Sequence, residues 1–307
     1  MSDQIEIAAW SAYWRSGQDG SCFEGGQSDI QLAEIWDAFV SQFQDGARLI
    51  DLAAGNGIAA RWCAQAARTR NLNLEIEAVD AAELNPKPAP GVGFRSGVRL
   101  ESLPHPDASF TGAFSQFGFE YADEAQAASE VVRILAPMGR LRFLIHAHDG
   151  DVARDIQQRV HRLEEVLADD GPVGLALTLA RAHEASDTKT LSEKERLVGA
   201  AAAHLQRLYL NAPRDDAAVF YSQAVLSDWA RRDRYDPSDL RRAFEGAMRN
   251  AKSVLTRQRQ MLQVAQSRDD MVALSARLAA LGLNSVAFRP LILQGGHVGW
   301  VLDAAKP

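Results

Sequence analysis

A chain of 307 residues, 47% hydrophobic and 24% charged, is long enough for one large core or two modest ones, and its composition argues against disorder. The net charge of −7 with no long basic stripe argues against a nucleic-acid substrate, which would need clustered Lys and Arg to displace counterions. Two cysteines, Cys22 and Cys63, are too few for a disulfide framework and lack metal-ligand spacing, so no metal is expected. No run approaches about 18 apolar residues, and the first residues lack the basic and apolar regions of a signal peptide. A cytoplasmic protein without membrane contact is the expectation.

Taken in order, residues 1–44 read as an N-terminal helical flap. Trp10, Tyr13 and Trp14 precede a loop, Gly20-Ser-Cys-Phe-Glu-Gly-Gly26, and this pair of features suits a cover over a ligand cleft; an aromatic helix packed on the domain is the alternative. Ile35, Trp36, Phe39, Val40 and Phe43 follow at helical spacing over 29–43, with Asp29 as the expected cap.

The next stretch, Arg48-Leu-Ile-Asp-Leu-Ala-Ala-Gly-Asn-Gly-Ile-Ala-Ala60, predicts a buried strand over 48–53, a tight turn at Gly55 and Gly57, and a helix over 57–69. Glycines there let a ligand lie against bare backbone N–H groups at a helix N-terminus. A second strand, Leu74-Glu-Ile-Glu-Ala-Val-Asp80, ends in an acid suited to a pair of ribose hydroxyls. Gly55-x-Gly57-x-x-Ala60 also satisfies the dinucleotide fingerprint, so Asp51 has to discriminate. At the mouth of the turn its charge opposes a pyrophosphate and attracts an ammonium and a sulfonium, which points to S-adenosylmethionine.

Further strands are expected near 92–95, 111–116 and 139–147, with a helix near 122–135. Alternation of this kind implies a parallel sheet with right-handed crossovers and a ligand at the carboxyl ends of its strands. From 150 to 268 the strand signal stops. Val152, Ile156, Val160, Leu163 and Leu167 keep a helical face, as do Leu240, Phe244, Met248, Ala251 and Leu255. A block of this length is too long for a loop and predicts an inserted helical subdomain, forming a substrate lid or a homodimer surface. Arg231 to Arg242 alternates in sign and reads as a solvated loop and helix start capped by Ser238 or Asp239. Met271 to Leu281 predicts a last crossover helix, and Ser285 to Leu293 with Gly296 to Ala304 a closing hairpin.

At these residues the chain resembles the class I S-adenosylmethionine-dependent methyltransferases, over roughly 45–148 and the last thirty positions. The family's acid-x-Gly-x-Gly-x-Gly is matched by Asp51-x-Ala53-x-Gly55-x-Gly57, with Ala53 for the first glycine. Glu101-Ser-Leu-Pro-His-Pro-Asp-Ala-Ser-Phe110 is similar to its Leu-Pro-Phe-x-Asp-x-Ser-Phe segment, and Glu130-Val-Val-Arg-Ile-Leu-Ala-Pro-Met-Gly139 to its Glu-x-x-Arg-x-Leu-x-Pro-Gly-Gly. The resemblance implies an α/β fold: a Rossmann-like seven-stranded sheet with an antiparallel final strand, formed by 45–149 and 269–307, plus an all-helical insertion over 150–268. It also implies a donor site of Asp51, Ala53, Gly55, Asn56 and Gly57, with Asp80 and Ala81 at the ribose and Ser115 and Gln116 passing backbone along the cofactor. Where the family places an aspartate and an alanine near adenine, this chain has Arg99 and Leu100, which leaves Glu101 as the carboxylate there. Trp14 covers the site if the flap reading holds.

Methyl transfer is an in-line displacement for which positioning supplies most of the acceleration; a base is needed only if the acceptor must lose a proton. His146 and His148, two apart at the end of the fifth predicted strand, are the candidates for such a base, expected on one face. A strand-end histidine that is solvated or structural is the other reading. Glu120 and Tyr121 sit at another pocket edge, and Phe117 or Phe119 is expected to wall it. The leading expectation is methyl transfer to a small-molecule acceptor. A protein-modifying methyltransferase, a catalytically silent binding module and an NAD-linked oxidoreductase are the alternatives.

Overall fold

The computed structural model describes residues 2–17, 26–213 and 215–307. Cys22, Phe23 and most of the predicted flap loop lie outside the described residues. The chain divides into two compact units, residues 1–154 with 260–307, and residues 155–259.

The first unit is built on strands β1 (Arg48–Leu52), β2 (Glu75–Asp80), β3 (Val92–Ser96), β4 (Phe110–Gln116), β5 (Leu135–His146), β6 (Asn284–Leu293) and β7 (Gly296–Ala305). They form one sheet in the order β3-β2-β1-β4-β5-β7-β6. Pairing is parallel through β5, and β7 runs antiparallel to both β5 and β6. The expected closing hairpin and inserted final strand are both present. Strand order reverses between β1 and β4, so the crevice at their carboxyl ends is the natural ligand position.

The apolar run in β1 explains its central place. Leu49, Ile50 and Leu52 are fully buried, and successive residues feed opposite faces. Ile50 joins a core with Phe110, Val131, Phe143 and Leu302, whereas Leu49 joins one with Trp36, Phe39, Phe114 and Val301. Helices α1 (Ser2–Arg15), α2 (Gln27–Val40), α3 (Ile58–Thr69), α4 (Glu124–Ile134) and, late in the chain, α11 (Arg268–Ala280) belong to this unit. On α3 the small side chains Ala59, Ala60, Cys63, Ala64, Ala66 and Ala67 are buried, which seats the helix close against the sheet. Cys63 is a core residue, and burial pushes its thiol up from the ordinary range.

Three local expectations need correction. No side-chain cap holds α2; its first turn starts at Gln27 and Asp29 lies inside it. The strand expected from 139 starts at Leu135, because Leu135 already pairs with Phe110 before the register shifts and Arg140 pairs with Gly112. The charged run at 231–242 is capped by Asp236, whose carboxylate accepts from the N–H groups of Ser238 and Asp239, rather than by either of those residues.

The two sequence motifs at 101–110 and 130–139 meet in one clasp. Arg133 donates to Glu130, to Asp107 at 2.9 Å, and to the carbonyls of His105 and Leu103 at 2.7 and 3.0 Å. Glu130 also accepts from the Leu103 N–H at 2.8 Å. These bonds hold the Glu130 carboxyl below its usual range and the Arg133 guanidinium above its own. The role of both motifs here is to fix the loop before β4.

The second unit is helical throughout its described residues, from within α5 (Asp151–Leu167), through α6 (Pro172–Glu184), α7 (Thr188–Glu195), α8 (Val198–Asn211) and α9 (Ala217–Trp229), into α10 (Pro237–Val264). Its centre is α6, where Val173, Leu175, Ala176, Leu179 and Ala180 are fully buried. Arg162 and the buried Asp216 pair at 2.7 Å, and Asp216 also caps α9 through the Ala218 N–H. Among the described residues no helix is long and apolar enough to cross a membrane.

Candidate functional site

At the carboxyl end of β1 the chain turns tightly on two glycines, and at the carboxyl end of β2 it bends after Asp80. Gly55 and Gly57 both take left-handed backbone angles, φ 54° and 78°, and Gly57 opens α3. Side chains are excluded at both. A methyl group on Gly55 would lie 2.4 Å from Trp14 Cζ2, and one on Gly57 would lie 2.4 Å from Phe94 Cε1.

Asp80 ties the two turns together. One carboxylate oxygen accepts from the Gly55 N–H and the other from the Ala82 N–H, each at 2.8 Å. Asp80 is 9% exposed, and burial raises its carboxyl from the ordinary range against the pull of those two N–H donors. Ala81, half-buried, lies between the anchored residues.

Asp51 lies behind the turn rather than at its mouth. It is 1% exposed, one oxygen accepts from the Ala60 N–H at 3.1 Å, and the other, Oδ1, has no partner among the described residues. Burial drives its carboxyl well up, the charge of Asp80 adds to this, and the Ala60 N–H and Arg61 oppose it. A buried carboxylate with one empty oxygen is a poor neighbour for a diphosphate and a good one for a cation.

Ala53 occupies the position where the resembled family has glycine, and it adopts φ 52°. A left-handed alanine costs about 1–2 kcal/mol. The opposing residue is Gly118, where a methyl group would meet the Ala53 carbonyl oxygen at 2.6 Å and its Cβ at 2.8 Å. Ala53→Gly is therefore expected to stabilise the chain by about 1 kcal/mol, read as a higher denaturation midpoint in urea. An unchanged midpoint would remove the strain assignment.

Helix α1 lies over the glycine turn. Asn56 donates to the Trp14 carbonyl at 2.9 Å and accepts from the Asn85 N–H at 2.9 Å, while Asn85 donates to the Arg15 carbonyl at 3.3 Å. The Glu83 N–H donates to Ser11 at 3.0 Å. These bonds tie the end of α1 to the glycine turn and to the segment after β2. Trp10 stacks on Trp14, meets Tyr121 edge-on at 5.4 Å, and donates to Gln260 at 2.7 Å.

The other predicted positions separate. Ser115 is fully buried and donates to the Leu52 carbonyl at 2.7 Å, fastening β4 to β1. Gln116 accepts from the Trp36 indole at 2.7 Å, on the side of α2. Leu100 belongs to the core with Val98 and Leu103, and Glu101 accepts from the Asp123 N–H at 3.0 Å. The two histidines do not share a face: β5 ends at His146, which is 5% exposed, whereas His148 lies in the following turn and is exposed. The alternation that would align them stops one residue too early.

His146 has a partner that spacing alone could not supply. Glu120, in the 3-10 turn Phe119–Tyr121 after β4, stands 2.8 Å from His146 Nδ1 through Oε1, which also accepts the His146 N–H at 3.0 Å. Phe117 lies against the imidazole with ring centroids 4.5 Å apart at 31°, held at φ 56°. A bulky residue in that conformation is unusual and marks a constrained position. No group of three or more potential metal ligands occurs among the described residues.

Residues 50–143 match a family model described as methyltransferase domain. No curated protein matches the chain. Among solved structures, one similar chain is in the complex between the Haloferax volcanii Trm112 methyltransferase activator and a methyltransferase, at 23% identity and TM-score 0.37, with 46% of this chain and 59% of that one covered. The Burkholderia thailandensis 1,6-didemethyltoxoflavin-N1-methyltransferase, bound to its substrate and S-adenosylhomocysteine, is 16% identical, with TM-score 0.36 and coverage of 48% and 64%. A Methanosarcina mazei S-adenosylmethionine-dependent methyltransferase is 12% identical, with TM-score 0.39 and coverage of 88% and 96%. The chain spans less than two thirds of the first two structures' own length. The matched segment lies within the first unit and agrees with the methyl transfer expected from Asp51 and the glycine turn, as the observed sheet does with the expected closing hairpin.

Proposed function

We propose that the chain transfers a methyl group from S-adenosylmethionine to a small-molecule acceptor. The observation that carries this reading is the turn itself: Gly55 and Gly57 with no room for a side chain, Asp80 beside them, and the empty oxygen of buried Asp51. The residues present fit a cationic, nucleoside-bearing ligand. Asp51 would favour its positive charge, Asp80 has lone pairs left for ribose hydroxyls, and Gly55 admits close backbone approach. When bound, the donor supplies a methyl carbon already activated by the sulfonium. The protein's share is to orient the acceptor and exclude water.

A small acceptor is supported by the aromatic enclosure of Trp10, Trp14, Phe117 and Tyr121 around these strand ends. Calorimetry with S-adenosylmethionine tests the donor, and absence of measurable binding by the wild-type chain would defeat the reading. Incubation of a cell lysate with labelled donor then separates acceptors, since counts in protein rather than in small molecules would make this a protein-modifying enzyme.

Helix α1 is the proposed flap. Trp14 rests on Gly55, so a ligand lying on that glycine and the indole cannot share the place. The helix has to lift for the donor to enter, and its re-closure would bring Trp14 onto the bound ligand. Trp14→Ala is expected to speed both association and dissociation of S-adenosylmethionine in stopped flow. An effect of about tenfold corresponds to ~1.4 kcal/mol of lost contact. Unaltered rates would show that α1 stays in place.

A further inference from the structure

We infer that His146 and Glu120 form a proton-accepting pair, and that the acceptor is therefore a molecule that loses a weakly acidic proton as it is methylated. The inference rests on the methyl-transfer reading and adds the acceptor class to it. Glu120 Oε1 already receives the backbone N–H of His146, and an ionised carboxylate can only accept. The 2.8 Å contact to Nδ1 then requires the ring proton on Nδ1, which leaves Nε2 with a free lone pair. Among the described residues Nε2 has no hydrogen-bond partner.

The surroundings explain why this nitrogen would take a proton. The Glu120 side chain is 1% exposed and its second oxygen, Oε2, has no partner. A buried carboxylate compensated at only one oxygen is stabilised by a positive charge next to it. A proton arriving at Nε2 creates that charge on the ring Glu120 already holds. Phe117 lies along one side of the imidazole and Tyr121 stands edge-on at 6.5 Å, so the ring has little freedom to turn. Glu120 is a positioning residue in this arrangement, and His146 is the base.

The step balances simply. The acceptor's electron pair, a lone pair on oxygen or nitrogen or, on carbon, the C–H pair freed as the proton leaves, forms the bond to the methyl carbon. The carbon–sulfur bond breaks with its electron pair returning to sulfur, and the acceptor's proton goes to Nε2 before passing to solvent. An acceptor that is already an anion at neutral pH, or a tertiary amine with no proton to give, has no use for this pair. The expected class carries an O–H, an N–H or a carbonyl-activated C–H.

The test reads the ring directly. Long-range proton–nitrogen correlation spectra of protein labelled with 15N-histidine identify the tautomer of each imidazole, and the His146→Gln spectrum assigns the signal. The expected result is His146 protonated at Nδ1 with an unprotonated Nε2 at neutral pH. A far-downfield Nδ1 proton should also be present and be lost in Glu120→Gln. A proton on Nε2, or a signal indifferent to Glu120→Gln, overturns the pairing; the wild-type spectrum decides this even if the variant folds poorly. Calorimetry of the same samples with S-adenosylmethionine separates the two failures. Loss of donor binding in Glu120→Gln would place that carboxylate in the donor site and overturn its assignment to the base. No binding by the wild type would remove the methyl-transfer reading, and the base's role with it, whatever the tautomer.

Discussion

Replacing Asp80 by alanine is expected to abolish measurable S-adenosylmethionine binding and to lower stability by about 2–4 kcal/mol. Two losses combine. The N–H groups of Gly55 and Ala82 each lose their acceptor in a buried setting, and an orphaned donor costs about 1–3 kcal/mol. The donor loses the carboxylate proposed to receive its ribose hydroxyls, at about 1.5–3 kcal/mol for each bond to a charged group, which together amounts to ~100-fold or more in affinity. Asp80→Asn should lie between, since its one carbonyl oxygen can still accept while its amide group cannot. Calorimetry reports the binding and thermal unfolding the stability. Wild-type affinity in a folded Asp80→Ala protein would show that the acid only shapes the turn and does not touch the ligand.

The same residue shows what could be read without coordinates. Its place at the end of a strand, after a strand carrying Asp51 and two glycines, follows from period and turn chemistry, and these are local. The parallel part of the sheet and its closing hairpin were legible for a similar reason: alternating strands and helices imply parallel pairing, and the Gln294-Gly295-Gly296 turn closes a hairpin. Contacts between distant segments were not legible. Nothing in the spacing of Glu120 and His146 says that they meet at 2.8 Å, because the contact joins the 3-10 turn after β4 to the end of β5, 26 positions along the chain. His148 was misplaced because alternation was extended past the last residue of β5, where the chain turns instead. Glu130 and Arg133 form a legible pattern, yet their purpose lies in contacts the pattern does not contain: Arg133 grips the loop at 103–107. Patterns transfer positions, while the geometry assigns the work.

Asp51→Asn is expected to move stability and donor affinity in opposite directions. The carboxyl is raised in the folded chain, chiefly by burial, so the folded state resists its ionisation. For a raised acid the contribution to stability is fully present below the unfolded pKa and is lost as pH rises through the folded one. The ligand-free wild type should therefore lose stability over a window that begins near the ordinary aspartate range, about pH 4, and extends upward. Asn has no charge to desolvate, which should flatten that part of the profile and raise the unfolding midpoint at neutral pH. Donor binding follows the other sign. A sulfonium or ammonium favours the ionised carboxylate, so affinity should rise with pH across the same window, and binding in its lower part should release a proton. Removing one member of a buried charge pair typically costs 2 kcal/mol or more, which sets the expected loss in Asp51→Asn at ~30-fold. Calorimetry in two buffers of different ionisation enthalpy detects the proton directly. A variant that binds S-adenosylmethionine as the wild type does, with no proton released by either, would leave the buried acid as a clasp on the first turn of α3 and nothing more.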